Sequence, residues 1–466
     1  MVFSGIPFIF FFLVISLFLY YIVPFRAKNY VLLAVSLIFY AWGEPVYIFL
    51  MIFSTFVSWF LGILLLKFPD RKKLLMILSV TTNILILCFF KYADMFITTT
   101  NSLFGSSINS LGFTLPIGIS FYTFQTMSYN IDIFFGSVKP EKNFFVLMTY
   151  ITMFPQLIAG PIVRYETVCD QLYCRTINFE KFSTGVIRFL NGLFKKVLIA
   201  NIVGELFTQI SSVSPDNQSL LTLWLGIIAF YFQIYFDFSG YSDMAIGMGK
   251  MLGFDFLENF KYPMAASSVS DFWRRWHISL TTWFKDYVYI PLGGSRCLKF
   301  KQIRNIMVVW MLTGFWHGAS WNFVVWGLYF GILLIFEKYV LKSLLEKTPK
   351  VIKHLYTTIA VIIGWAIFSL EDFSLMSNYI SRMFVNKTVC DYRFLYYFLQ
   401  YLPVMLIGLV FALPSYKLLK NKLLHASNAS KVIVCSGAFV FYITLTVLSI
   451  AMLVGNSYNP FLYFRF

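Results

Sequence analysis

Leu312-Thr-Gly-Phe-Trp-His317-Gly-Ala-Ser-Trp-Asn322 decides the fold, because it sets an imidazole inside a long apolar run. That run extends from Ile303 to Phe336, with no Asp, Glu, Lys or Arg between Arg304 and Glu337. Its 34 residues would make one helix of about 51 Å at ~1.5 Å per residue. A hydrocarbon core is only about 30 Å thick. Two arms meeting near Gly314–Ala319 fit better and place His317 at the turn; a single tilted helix is the alternative. An ionisable group at membrane depth is costly unless it is paired or used. His317 therefore reads either as a functional group or as a packed histidine bonded to a neighbouring helix. At helical spacing its neighbours are Thr313, Gly314, Ser320 and Trp321. The small and hydroxylated ones leave room for a ligand, and Trp321 would form a wall.

The rest of the chain has the same character. Of 466 residues, 59% are hydrophobic, 20% aromatic and only 12% charged, more apolar surface than a soluble domain can bury. The expectation is an all-α polytopic membrane protein with about ten to twelve transmembrane helices plus re-entrant and interfacial helices. Neither a repeat nor a linker divides it, so residues 1–466 read as a single domain. A net charge of +16 points to cytoplasmic loops and anionic headgroups, not to nucleic acid. The six cysteines form no C-x-x-C pair, and Cys169 and Cys174 lack nearby histidines, so no metal site is expected.

Charge then orients the spans. Arg26 and Lys28 follow the first apolar stretch, the order of an uncleaved span with its N-terminus outside. The apolar runs Pro7–Val23, Tyr30–Trp42, Val46–Leu66 and Leu74–Phe90 follow, the middle two joined by the turn Gly43-Glu44-Pro45. Lys67, Arg71, Lys72 and Lys73 mark a cytoplasmic loop, and Asp94–Thr114, without Lys or Arg, belongs outside. Leu115–Phe135 reads as a span, Phe144–Gly160 as a re-entrant segment broken by Pro and Gly, and Phe182–Leu206 as a span. Leu220–Met248 is another, interrupted by Asp237-Phe-Ser-Gly-Tyr-Ser-Asp243. Asp237, Ser239, Tyr241 and Asp243 there either line a cavity or bond a neighbouring helix. Ile352–Leu370, Tyr396–Leu413 and Val432–Val454 complete the set, with the Lys417–Lys431 loop inside and the C-terminal end outside.

Ser270–Ile290 differs. Trp273, Trp276, His277, Leu280, Trp283 and Tyr287 follow helical spacing, while Arg274, Arg275, Lys285 and Asp286 point elsewhere. Such an aromatic and basic amphipathic helix belongs at the interface. His277 and His317 lie 40 residues apart, each in a Trp-rich setting. A neutral imidazole in a low-dielectric site can accept a proton from a hydroxyl, as acyl transfer to an alcohol needs. No Gly-x-Ser-x-Gly elbow accompanies the pair, so a serine nucleophile has no support.

Asp271-Phe-Trp-Arg-Arg-Trp-His-Ile-Ser-Leu280, with Trp283-Phe-Lys-Asp-Tyr-Val-Tyr-Ile-Pro-Leu-Gly-Gly294, resembles the signature of the membrane-bound O-acyltransferase family. Phe315-Trp-His-Gly318 is similar to the segment holding that family's histidine. Gly160-Pro161, residues 237–243, the Tyr-Ile-Pro-Leu-Gly-Gly run and the Phe-Leu-Tyr-Phe-Arg-Phe end resemble its alginate O-acetylase branch. The resemblance implies a multi-pass protein of the bacterial cell membrane, with His317 as catalytic base and His277 as second active-site histidine. It implies acetyl-CoA as co-substrate, no bound cofactor, an extracellular polysaccharide as final acceptor and a partner acetyltransferase outside. Candidate donor- or substrate-binding residues are Arg274, Arg275, Trp276, Trp316, Trp321, Asn322, Asp237, Ser239, Tyr241 and Asp243. Arg274, Arg275, Arg296, Lys299, Lys301 and Arg304 could hold donor phosphates or merely set topology. Transfer from a carrier-protein thioester to teichoic acid, a transporter with His317 as proton relay, and a non-catalytic export scaffold are the alternatives.

Overall fold

A computed structural model describes residues 2–158, 160–414, 428–455, 459, 460 and 462. Among these residues the regular structure is entirely helical. The chain divides into two compact units, Met1–Phe189 with Ser242–Leu257, and Leu190–Tyr241 with Glu258–Phe466.

The first unit contains α1 (Leu13–Ile22), α2 (Lys28–Gly43), α3 (Tyr47–Lys67), α4 (Lys72–Phe104) and α5 (Ile119–Phe135). It continues with α6 (Phe144–Thr152), α7 (Phe154–Leu157), α8 (Tyr165–Tyr173) and most of α9 (Phe179–Phe194). Its centre is α5, buried around nearly its whole circumference although it carries Gln125, Thr126, Ser128, Asn130 and Asp132. Polar side chains away from water must find partners inside the protein. Asn83 of α4 answers one of them: its Oδ1 accepts from Thr126 Oγ1 (2.8 Å) and from Ser54 Oγ of α3 (3.1 Å), and its Nδ2 donates to the Ser79 carbonyl (2.9 Å). A polar helix therefore occupies the middle of an apolar unit.

Several expected boundaries move. The external loop does not start at Asp94, because α4 runs on to Phe104 and ends at Gly105 in the left-handed region (φ 63°). Thr98 and Thr99 donate to the Met95 carbonyl at 3.0 and 2.7 Å, so their hydroxyls are satisfied within the helix instead of breaking it. Asp94 accepts from the backbone N–H of Leu111 (2.6 Å) and Gly112 (3.1 Å), which fastens the remaining loop. Phe144–Gly160 is broken at Met153 into α6 and α7, and α6, with nine residues, reaches only about 14 Å.

The second unit contains the remainder of α9, α10 (Asn201–Ser211) and, up to Tyr241, α11 (Leu220–Met251). Then come α12 (Val269–Arg275), α13 (Ile278–Phe284), α14 (Lys299–His317), α15 (Trp321–Phe336), α16 (Lys342–Lys347) and α17 (Lys350–Ser369). It ends with α18 (Phe373–Phe384), α19 (Tyr392–Ala412) and α20 (Asn428–Gly455). The Lys417–Lys431 loop lies largely outside the described residues, as does most of the C-terminal aromatic end.

The central run is two arms: α14 stops at His317, Gly318-Ala319-Ser320 turns, and α15 begins at Trp321. Glycines make the hairpin tight. A Cβ on Gly314 would collide with the carbonyl oxygen of Phe323, and one on Gly327 with that of Trp310. Two further expectations are corrected. α11 is uninterrupted through residues 237–243, because the acidic side chains there are paired with cations. The amphipathic helix over Ser270–Ile290 is instead split at Trp276–His277 into α12 and α13.

Among the described residues seven helical stretches are long and apolar enough to cross a membrane: Tyr47–Lys67, Pro69–Phe104, Leu220–Met251, Trp321–Lys347, Lys350–Ser369, Tyr392–Ala412 and Cys435–Gly455. Other apolar runs make shorter helices, such as the 17-residue α5. The architecture is that of an all-α polytopic membrane protein.

Candidate active site

Both histidines belong to the second unit, and each sits at a helix end. His277 occupies the break between α12 and α13 with φ 43°, a left-handed conformation uncommon for a residue with a Cβ. Strain of this kind persists only where the surroundings fix it. Here Asn259 does so from a non-helical segment. Its backbone carbonyl accepts from Ile278 N–H (3.0 Å), while Lys261 N–H donates to the Arg275 carbonyl (2.9 Å). The segment thereby supplies partners to backbone groups that the broken helix leaves open.

The Asn259 side chain also sets the tautomer of His277. Its Oδ1 accepts from the backbone N–H of Ser279 (3.2 Å) and from Ser279 Oγ (2.9 Å). A backbone N–H can only donate, so the atom facing it is the oxygen and the amide orientation is settled. That same oxygen lies 3.2 Å from His277 Nδ1, which must then carry the hydrogen. Nε2 is left as the basic nitrogen of the ring. Asn259 is fully buried and His277 nearly so. His277 lies outside the membrane-spanning stretches, and burial, with His317 nearby, holds its pKa well below the ordinary histidine value.

His317 ends α14 and is also buried. Trp316 lies beside both imidazoles, its ring centroid 5.9 Å from that of His277 and 5.1 Å from that of His317. Trp326 (4.9 Å) and Phe368 (5.4 Å) close edge-on against His317, and Phe238 (4.7 Å) against His277. The structure thus brings together two histidines far apart in sequence inside an aromatic cage. Burial favours a neutral His277, and a neutral imidazole is the form that takes a proton from a hydroxyl.

The other candidate residues scatter. Trp276 is buried, stacked on Phe272 (5.5 Å) and close to Trp365 (5.0 Å). Arg274 is exposed, with Nε on the Ser270 carbonyl (3.2 Å), and Arg275 pairs with Asp271 (3.0 Å). Trp321 is 43% exposed. Asn322 is fully buried and donates to the carbonyls of Ile367 (3.4 Å) and Phe368 (3.1 Å), joining α15 to α17.

Asp237 pairs with Lys196 (2.7 Å) and accepts from Leu462 N–H (2.9 Å). Asp243, in the first unit, pairs with Arg188 (2.6 Å). Ser239 and Tyr241 are buried in α11. Sequence reasoning missed Asn259, Ser279, Phe238, Trp326 and Phe368. For Asn259 the sequence offered no signal beyond an amide four residues before Pro263.

Comparison with known proteins agrees with this geometry. The family described as MBOAT, membrane-bound O-acyltransferase, matches residues 140–381, a stretch holding Asn259, both histidines and the α14–α15 hairpin. The chain is 34% identical to the probable alginate O-acetylase of Azotobacter vinelandii, with the whole of both chains covered. It is 33% identical to the peptidoglycan O-acetyltransferase of Helicobacter pylori, over 78% of this chain and 76% of that one. To the teichoic acid D-alanyltransferase of Bacillus subtilis it is 29% identical, over 48% of this chain and 60% of that one. The chain belongs to the membrane-bound O-acyltransferase family and is a multi-pass bacterial membrane acyltransferase.

Proposed function

We propose that this acyltransferase moves an acetyl group from acetyl-CoA in the cytoplasm across the bilayer, for O-acetylation of an extracellular or cell-wall polysaccharide. The observation that carries the chemistry is the buried imidazole pair around Trp316, with His277 held in one tautomer by Asn259. The choice of acetyl follows the alginate and peptidoglycan O-acetylating relatives, which this chain matches more fully than the D-alanyl-transferring one.

His317 acts as general base. It takes the proton of the acceptor hydroxyl as the oxygen attacks the thioester carbonyl; the carbon–sulfur bond then breaks, and the thiolate recovers the proton from the imidazolium. His277, with Nδ1–H committed to Asn259, presents Nε2 to the same cage. Donor enters from the basic, cytoplasmic side and acceptor from outside, where a partner acetyltransferase completes delivery to the polymer. The nucleotide then never crosses.

The test is donor-dependent transfer by purified protein in proteoliposomes of known orientation. His317→Ala should abolish transfer while the protein still inserts in the membrane. Retained transfer removes His317 as base, and activity with donor only on the exterior face refutes the two-sided site. Turnover with a carrier-protein thioester but not acetyl-CoA would reassign the donor.

A further inference from the structure

A cavity of about 650 Å³ opens in the second unit. It lies where the start of α12, the basic half of α14, the end of α15 and the start of α17 meet, and its lining excludes both histidines. Arg274, Lys338, Lys342 and Lys353 converge on it. Its wall is apolar: Ile306, Val309 and Trp310 from α14 and Leu334 from α15. A cluster of cations at the mouth of a greasy wall suits a ligand with an anionic head and a hydrocarbon body.

The local acids offset only part of that cluster, two carboxylates (Glu337 and Glu346) against four cations. Glu337 lines the cavity, but its carboxylate is engaged at the start of α12. It accepts from Val269 N–H (2.6 Å), Ser270 N–H (2.9 Å) and Ser270 Oγ (2.8 Å). Glu346 is exposed and offsets one positive charge. Lys338 donates to Gln302 Oε1 (2.8 Å), a neutral partner, and Arg274 spends only Nε on a carbonyl. The exposed Lys342 and the half-buried Lys353 also line the cavity.

An anion here is cut off from His317. Trp310, which forms the wall, packs on Trp273 (4.8 Å) and Trp326 (6.0 Å), and Trp326 in turn lies against His317 (4.9 Å). A thioester seated in the cavity would face two indole rings before the imidazole. We propose that the cavity binds the phosphate headgroup of an anionic phospholipid, one acyl chain lying along Ile306, Val309 and Leu334. The site is built into the base of the α14–α15 hairpin and, through Glu337, into the capped start of α12. A resident lipid would therefore brace the two helices that carry His317 and precede His277. The inference does not depend on the identity of the acyl donor.

Phosphate chemistry is shared by lipid headgroups, coenzyme A and inorganic phosphate, so the experiment separates them. Full-length protein in detergent is titrated with dioleoyl phosphatidylglycerol or dioleoyl phosphatidylcholine, and bound lipid is read by native mass spectrometry. One phosphatidylglycerol should be retained and phosphatidylcholine should not. Lys342→Gln with Lys353→Gln should weaken retention by about 30-fold, at about fivefold per cation near a membrane surface. Lys342→Arg with Lys353→Arg should restore it, and His317→Ala should leave it unchanged. Coenzyme A and inorganic phosphate should fail to displace the lipid. Equal retention of the two lipids, or an unaffected glutamine variant, overturns the proposal. Displacement by coenzyme A would overturn it in favour of a nucleotide site.

Discussion

Asn259→Ala is the sharpest probe of the site, because it removes one oxygen that serves three donors. His277 Nδ1–H and the Ser279 backbone N–H both lose their acceptor in a fully buried place, while Ser279 Oγ can rotate to another. Each stranded buried donor costs about 1–3 kcal/mol. The histidine share of that cost also removes the amide oxygen that favours the Nδ1–H tautomer, leaving Ser279 Oγ, 3.5 Å from Nδ1, as a weaker neighbour. Transfer should fall by roughly 5- to 150-fold at equal folded fraction, as about 1.4 kcal/mol corresponds to a factor of ten.

Asn259→Asp separates tautomer from charge. It keeps the acceptors but places a carboxylate about 3 Å from the imidazole, and an adjacent negative charge favours the protonated ring. In the native protein the His277 pKa is depressed, so the ring stays neutral as pH falls through the ordinary histidine range. In the aspartate variant the pKa rises, so transfer should decline with falling pH in a window where the native profile is flat. Purified protein assayed for donor-dependent transfer across pH decides both. An alanine variant with native kcat and an aspartate variant with a native pH profile would refute a positioning role for Asn259.

Further outcomes follow from packing and from a buried ion pair. Gly314→Ala places a Cβ against the Phe323 carbonyl, a backbone atom that cannot step aside, so it should destabilise by about 1–3 kcal/mol or more. Gly437→Ala meets nothing within 4 Å and should be silent, both read by thermal unfolding in detergent. Lys196→Ala strands the Asp237 carboxylate in a pair whose side chains are 2% and 3% exposed, costing about 3–5 kcal/mol. Joint replacement by Lys196→Met and Asp237→Leu should recover most of that loss.

What could be read from the sequence was whatever length and composition force. A run too long for one upright crossing, with Gly-Ala-Ser at its middle, favoured two arms over a single tilted helix, and the break falls at His317. The break at His277 was invisible for an equally physical reason. Arg275-Trp-His-Ile278 contains no Gly or Pro, and apolar residues keep helical spacing across it. What opens the helix is a long-range partner, Asn259, and a periodicity count cannot see a partner supplied from elsewhere in the chain. The polar stretch 237–243 misled in the opposite direction. Its acids suggested an interruption, yet Lys196 and Arg188 satisfy them and the helix continues. The polar face of α5 escaped notice because composition averages over a span, whereas burial depends on which neighbours can answer each group.

The passage of α11 from one unit to the other bears on how the protein is made. The first unit is discontinuous in sequence: its closing contacts come from residues beyond Ser242. Tyr20 Oη donates to the Leu252 carbonyl (2.6 Å), and Arg188 pairs with Asp243. A ribosome that has finished Phe189 must still synthesise residues 190–257, a delay of roughly 3–14 s at ~5–20 residues per second. During that interval Tyr20 and Arg188 wait in a nascent chain for acceptors that do not yet exist. A membrane-insertion factor that shelters those helices has several seconds in which to act, and chains stalled before Leu252 should be the ones that membrane proteases clear.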